Sequence, residues 1–341
     1  MTQSEDEDSD PPPPRETTAL FGHADAEREF LIAYRSGRVP HAWLIGGERG
    51  IGKATLAYRI ARFVLAYPDP SRVPTATSLA LDPAHPTVRR VAVNAHPDLL
   101  ALERTVGDNG KMRTVITVDQ VRRLAAFFGS TAGEGGWRVC IADSADELKY
   151  PEGANALLKV LEEPPPRSLL LLVSHAPGRL LPTIRSRCRR LTLKPLGQGD
   201  VASAAATALE TEADDPAIVK AAAAARGSVS RAIALVGGPM LVLREKVGEL
   251  LTALPSTDPQ ALHAIGDQLD RDRGLLDVFV GAIRDWLSAR LDAATNPEQL
   301  ARVAELWDRL DRSARDVEIY NLERKPLVFA VFGLLAEASR G

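Results

Sequence analysis

The chain has 341 residues, 45% of them hydrophobic, and its 42 basic and 45 acidic side chains leave a net charge of −3. That length exceeds one ordinary domain, and the apolar fraction supports two or three packed cores. The near-neutral balance excludes a chain-wide field for nucleic acid or an anionic membrane, so any DNA contact is local or made through partners. Two cysteines far apart in sequence, no apolar run near the ~18 residues of a membrane span, and an acidic N-terminus together predict a soluble cytoplasmic protein with reduced thiols.

Residues 1–17 hold Glu5-Asp6-Glu7-Asp8 and the run Pro11 to Pro14. So little apolar surface cannot repay the entropy of ordering, and the segment reads as a disordered acidic, proline-rich tail. Ala26, Phe30, Leu31 and Tyr34 recur at helical spacing before Gly37 and Pro40 close that segment. Ala42-Trp43-Leu44-Ile45 is a short apolar strand, and Thr55 to Leu65 has helical apolar spacing.

Between that strand and helix lies Gly46-Gly47-Glu48-Arg49-Gly50-Ile51-Gly52-Lys53-Ala54-Thr55. Gly47, Gly52 and Lys53 match G-x-x-x-x-G-K-[ST], in which glycines let backbone N–H groups turn onto phosphates and the lysine reaches their oxygens. The next position is Ala54, which has no hydroxyl for magnesium. Thr55 is one residue late, a turn of about 100° on a helix, so it does not simply take over.

Residues 67–97 read as an irregular proline-rich excursion, of the kind that is usually functional or mobile. Asp82, His85, His96 and Asp98 lack the tight pairing of a metal site, and none is predicted. Leu99 to Glu103 is a second strand. Val115 to Val118 precedes Asp119, a candidate N-cap for a helix that runs to Phe128 and ends at Gly129. A turn at Gly135-Gly136 leads into a strand from Trp137 that ends in Asp143. A helix over 155–163 is stopped by Pro164-Pro165-Pro166, and Ser168 to Ser174 is continuously apolar, as in parallel sheets. Strands alternating with helices argue for an open α/β domain whose site lies at the strands' carboxyl ends.

After Pro195 alanine-rich helices are predicted over 200–209, 216–225 and 229–236. Gly237-Gly238-Pro239 reads as a linker. Residues 240–341 are helical by pattern, with turns at 255–259, 271–274 and 295–297. Leu300, Val303, Ala304, Leu306, Trp307 and Leu310 form one apolar face, and Leu327, Val328, Val331, Phe332 and Leu335 another.

A P-loop ATPase needs a second station, a strand-end aspartate for magnesium with a glutamate beside it to position water. Asp143 stands at the strand end, but Ser144 follows, and a serine is no useful general base at neutral pH. The bland alternative is that Asp143 only caps the next turn. A third station follows the Ser168–Ser174 strand: His175, then Leu181-Pro182-Thr183-Ile184-Arg185-Ser186-Arg187-Cys188. His175 either bonds near the phosphates or simply ends the strand. Arg185, Arg187, Arg189 and Arg190 taken alone fit a solvated basic cluster as well as an active site. Cys188, with no histidine dyad nearby in sequence, reads as a packed thiol.

The P-loop, Leu157-Leu158-Lys159-Val160-Leu161-Glu162-Glu163-Pro164-Pro165 and Thr183-Ile184-Arg185-Ser186-Arg187-Cys188 together resemble the clamp-loader branch of the AAA+ ATPases. Asp119 to Arg122 and Tyr320 to Lys325 are similar to the same family. The resemblance implies an AAA+ P-loop α/β parallel-sheet domain over 18–194, a small helical lid over 195–238 and an all-α C-terminal collar over 239–341. It also implies that Arg187, with Ser186 and Cys188 as motif neighbours, acts as an arginine finger on ATP bound by the next subunit.

The loss of the hydroxyl at Ala54 and of the glutamate at Ser144 resembles the branch's non-hydrolysing members. Ser230 stands where active members carry a nucleotide-sensing arginine, with Arg231 one position late. Many members carry a four-cysteine zinc module after the P-loop helix, but residues 66–98 contain no cysteine, so no metal is carried over. No cofactor is required on this reading. A residual ATP or ADP site at Gly47, Gly50, Gly52, Lys53 and Thr55, binding without hydrolysis, stays open. The implied partners are ATP-hydrolysing gamma/tau-type and delta-type subunits in a hetero-pentamer, with the sliding clamp and primer–template DNA reached through the complex, and no membrane. Two rivals stand: an autonomous ATPase in which Thr55 and Asp146 or Glu147 replace the missing groups, and a nucleotide-free structural adaptor.

Overall fold

The computed structural model describes residues 11–73, 75–104, 116, 118–129, 132–134, 136–148, 152–236, 238–272, 274–320 and 322–339. The acidic stretch 1–10, Val115 and Thr117 of the predicted run, Gly135 of the predicted turn, and Gly237 of the predicted linker lie outside them. The chain divides into two compact units, Met1–Ile233 and Ala234–Gly341.

The first unit begins with α1 (Ala24–Arg35), β1 (Ala42–Gly46), α2 (Lys53–Ala66) and α3 (Pro86–Ala92). Then come β2 (Leu99–Leu102), α4 (Val118–Gly129), β3 (Arg138–Ala142), α5 (Glu152–Glu162) and β4 (Ser168–Ser174), followed by α6 (Pro182–Arg185) and β5 (Arg189–Thr192). Three helices close it: α7 (Gln198–Ala208), α8 (Pro216–Ala224) and α9 (Val229–Leu235), the last crossing into the second unit. The five strands pair in parallel in the order β2-β3-β4-β1-β5. The α/β parallel-sheet fold is therefore as the alternation of elements predicts.

The strands read as unbroken apolar runs because both faces of the sheet are covered. On one face Trp43, Ile45, Val139, Ile141, Leu169 and Leu171 pack with α1 and α2. On the other, Leu44, Cys140, Leu170 and Leu172 pack with Leu124 and Phe128 of α4 and Leu157 and Leu161 of α5. Cys140 lies in the middle of this layer, and burial pushes its thiol pKa up.

Three sequence expectations are changed. The excursion over 67–97 is not wholly irregular: it contains α3, whose amino end is closed by His85 Nδ1 accepting from the Thr87 N–H at 3.2 Å, with Pro86 as first helical residue. Arg189 and Arg190 belong to a fifth strand that charge had hidden. Residues 11–17 do not trail away as the composition of a disordered tail suggests. The nearly buried Arg62 of α2 donates to the carbonyls of Pro14, Arg15 and Thr17, at 3.2, 3.5 and 2.7 Å. A guanidinium with five fixed donors ties down a segment with no core of its own.

The second unit is all helical: α10 (Pro239–Thr252), α11 (Pro259–Arg271), α12 (Leu275–Ala293), α13 (Pro297–Ile319) and α14 (Lys325–Ala338). The Asp258 and Asn296 side chains cap α11 and α13 ahead of Pro259 and Pro297. Its core includes Leu243, Val247, Phe279, Ile283, Val328 and Phe332. All five predicted apolar residues of α14 are buried. On α13 Val303 and Leu310 are buried and Leu306 and Trp307 half-buried, whereas Leu300 and Ala304 face solvent. The buried stripe continues instead through Ala314 and Val317.

Candidate functional site

Parallel pairing brings the three stations to one edge. Gly46 lies opposite Ser174 and Ala142 opposite Leu172, so the P-loop, Asp143 and His175 all emerge at the carboxyl ends of adjacent strands. They line a cavity of about 580 Å³ with Arg49, Gly50, Gly52, Lys53, Ala54 and Thr55. Arg104, Ser230, Glu16 and Pro11 to Pro14 are also among its lining residues.

The loop is held by backbone chemistry. Gly47 has φ +150° and Gly50 φ +76°, left-handed values that favour glycine. A Cβ on Gly47 would stand 2.6 Å from the Leu193 carbonyl oxygen, and one on Gly50 only 1.9 Å from Ser230 Oγ. The start of α9 rests on this loop, because the Val229 N–H donates to the Gly50 carbonyl at 2.8 Å. His23 Nε2 lies 2.6 Å from the Ile51 oxygen. Gly50→Ala combines an unfavourable φ with this contact and is expected to destabilise the first unit by about 1–3 kcal/mol, read as a shift of its urea midpoint.

Lys53 is nearly buried, and its ammonium donates to the Glu48 carbonyl. Burial lowers its pKa to about 8, against the pull of Asp143 and Asp146. The folded lysine thus gives up its proton more readily than the unfolded chain does. The cost of burying the charge is present in full below pH 8 and shrinks as pH rises toward the unfolded value of 10.5. Lys53→Met should therefore raise the stability of the apo protein at pH 7, by an increment that declines above pH 8; an increment that grows with pH would contradict this.

Asp143 sits directly after β3, where burial raises its carboxyl pKa, with Glu103 adding to the rise and Lys53 opposing it. Ser144 adopts a left-handed φ of +63°, and its hydroxyl lies 3.2 Å from His175 Nε2. Burial lowers the His175 pKa, so the ring is neutral at pH 7. The His175 backbone N–H donates to Asp146 Oδ1 at 3.0 Å, and Glu147 pairs with Arg104 at 3.1 Å.

Magnesium is the metal that a P-loop implies, and these residues do not fit it. Ala54 offers no ligand, and the Ser144 hydroxyl is beside the His175 imidazole. Among the described residues no three His, Cys, Asp or Glu side chains gather as a metal site. His85 caps a helix, and the Asp98 carboxylate accepts the backbone N–H groups of Gly133 and Glu134 at 2.7 and 3.0 Å.

The arginine station lies outside the cavity. Arg187 follows α6; its guanidinium donates through Nη1 to the Thr183 carbonyl at 3.0 Å, and its Nη2 forms an ion pair with Glu162 Oε1 at 3.0 Å. Two contacts fix the plane of the fork, while the side chain keeps 37% exposure. Ser186 donates to the same Thr183 carbonyl, at 3.1 Å. Cys188 is buried, which pushes its pKa up to about 11 and fits a packed thiol rather than a nucleophile. The four arginines do not form one cluster, because Arg189 pairs with Glu29 at 2.9 Å and lies 5.2 Å over the Trp43 ring.

Ser230 reaches the cavity rim, whereas Arg231 is exposed and is not among the lining residues. Sequence reasoning missed Arg49 and Arg104 as cavity residues. Arg49 was legible as a P-loop side chain, whereas Arg104 becomes a neighbour only through the pairing of β2 with β3.

The sheet, the P-loop after β1 and the stations at the ends of β3 and β4 define a P-loop α/β protein of the AAA+ class. Residues 22–197 match the family model described as DNA polymerase III, delta subunit. The chain is 40% identical over 148 residues to DNA polymerase III subunit delta' of Pseudomonas aeruginosa, spanning 43% of this chain and 41% of that relative. It is 30% identical over 291 residues to the Escherichia coli delta' subunit, spanning 84% of this chain and 81% of that one. A Thermotoga maritima gamma subunit-related protein aligns with TM-score 0.41 and 16% identity, over 94% of this chain and all of that one. The chain belongs to the delta-prime family of DNA polymerase III subunits, in the clamp-loader branch of the AAA+ proteins. Among the described residues no helix is long and apolar enough to cross a membrane.

Proposed function

We propose that this chain is a non-hydrolysing clamp-loader subunit of a cytoplasmic DNA polymerase III holoenzyme. It scaffolds the loader and presents Arg187 to ATP held by a neighbouring subunit during sliding-clamp loading in DNA replication. The observation that carries this reading is an asymmetry between two stations. The chain's own site has Ala54 and Ser144 where a magnesium ligand and a general base belong, whereas Arg187 is intact, half-exposed and held in plane by Thr183 and Glu162. A permanently charged planar guanidinium suits the spread charge of a phosphoryl-transfer transition state.

The neighbour is a gamma/tau-type subunit, with a delta-type subunit completing the hetero-pentamer, and the helical C-terminal unit serves as the collar. Residues 195–238 serve as the helical lid, with the Val229 N–H donating to the Gly50 carbonyl of the P-loop. Autonomous ATP hydrolysis is disfavoured, since Asp146 and Glu147 are engaged by His175 and Arg104. A loader rebuilt with Arg187→Ala should assemble normally and lose DNA-stimulated ATPase; normal ATPase would refute the finger. Lys53 and the glycine loop retain nucleotide binding without turnover, so the purified chain should bind labelled ADP but release no phosphate from ATP.

A further inference from the structure

Alpha-5 ends on a charge that its own electrostatics disfavour. The carboxyl end of a helix carries partial negative charge and prefers a cation, yet α5 closes on Glu162, with Glu163 next and Pro164-Pro165-Pro166 beyond. The compensating cation comes from another element, through the ion pair of Glu162 Oε1 with Arg187 Nη2 at 3.0 Å. Leu161 beside the glutamate and Cys188 beside the arginine are buried in the same apolar layer, so the packing of the core brings the two charges together. A carboxylate kept where it costs the helix is expected to serve something other than the helix.

The two holds on Arg187 differ in kind. Its Nη1 donates to the Thr183 carbonyl at 3.0 Å, a neutral acceptor in the same short turn, and this contact travels with the arginine. The contact with Glu162 is ionic, spans two elements and is open to solvent, with side-chain exposures of 37% for the arginine and 50% for the glutamate. An anion offered to the guanidinium competes with Glu162, not with Thr183. Exposed pairs are weak, so a carboxylate here yields to a phosphate that carries more charge.

We propose that Glu162 is the resting counter-ion of Arg187, orienting the guanidinium while no phosphate is offered and released when the neighbour's ATP arrives. This rests on the reading of Arg187 as a finger in trans. The pair is broken once ATP is engaged and stays broken in the transition state, so its loss weighs on both alike. A contribution shared equally by ground state and transition state moves KM and leaves kcat alone. Glu162 is thus a positioning residue that sets how much ATP the neighbouring site needs, not how fast the bound ATP reacts.

The test uses loaders rebuilt with Glu162→Gln, which keeps the shape and removes the charge, with Glu162→Asp, which keeps the charge, and with Arg187→Ala. DNA-stimulated ATPase is followed against ATP concentration, and the turnover that persists with Arg187→Ala is subtracted, which isolates the site facing Arg187. With Glu162→Gln, KM at that site should fall about two- to fivefold, the range that an exposed pair can supply, while kcat is unchanged. Glu162→Asp should return KM toward the wild-type value. A lower kcat with Glu162→Gln would show that the carboxylate still orients the fork during the reaction, and would overturn the proposal. Wild-type KM and kcat together, the result for a merely structural residue, would overturn it too. Normal turnover with Arg187→Ala is a different failure: the finger reading falls, and the proposal with it.

Discussion

ATP turnover at the site facing Arg187 is expected to fall by about 10³-fold when this residue becomes alanine, the lower end of the roughly 10³–10⁵ that an arginine supplied in trans contributes. A thousandfold loss corresponds to about 4 kcal/mol. On the proposed role Arg187 exchanges its ion pair with the half-exposed Glu162 for a phosphate, and pairs of that kind are worth roughly 0–1 kcal/mol. The transition state therefore outcompetes the resting contact by a wide margin, and Glu162 can orient the side chain without trapping it. Arg187→Lys should recover only part of the loss, because an ammonium cannot offer a planar fork. Single-turnover hydrolysis in a reconstituted loader measures this; size-exclusion chromatography checks that assembly is unchanged.

Trp43→Ala should destabilise the first unit by about 3–5 kcal/mol. Trp43 is fully buried on β1, with its ring 5.2 Å from Phe30, the Arg189 guanidinium over it and its Nε1–H donating to the Pro40 carbonyl at 3.1 Å. Three residues later the same strand delivers the P-loop, so the cavity left behind would loosen the loop as well as the core. Urea unfolding followed by hydrogen exchange would place the loss in residues 24–66 and leave α10–α14 protected. A uniform loss across both units would mean that they unfold together.

The alternating pattern of the first unit was legible because each buried strand is short, apolar and bounded by turn residues. Beta-5 was not, because an edge strand needs only one buried residue in four: Leu191 is buried while Arg189, Arg190 and Thr192 are exposed. The docking of residues 14–17 was hidden for a related reason. Their composition offers no core, and the force that holds them comes from Arg62, some 45 residues away in sequence. At the site, Ala54 and Ser144 announced their missing groups directly, since a hydroxyl or a carboxylate is either present or absent. The partners of the surviving groups were not legible. That His175 meets Ser144, or that Arg187 rests on Glu162, depends on which strands and helices lie side by side.

On the proposed function, this chain's chemistry is performed on a neighbour's nucleotide. The most direct test compares two loaders, one carrying Arg187→Ala and one carrying Lys53→Ala, in the same DNA-stimulated ATPase assay. A deep loss is expected for the first and near-normal turnover for the second; loss with Lys53→Ala and normal turnover with Arg187→Ala would rule out a role in trans for Arg187.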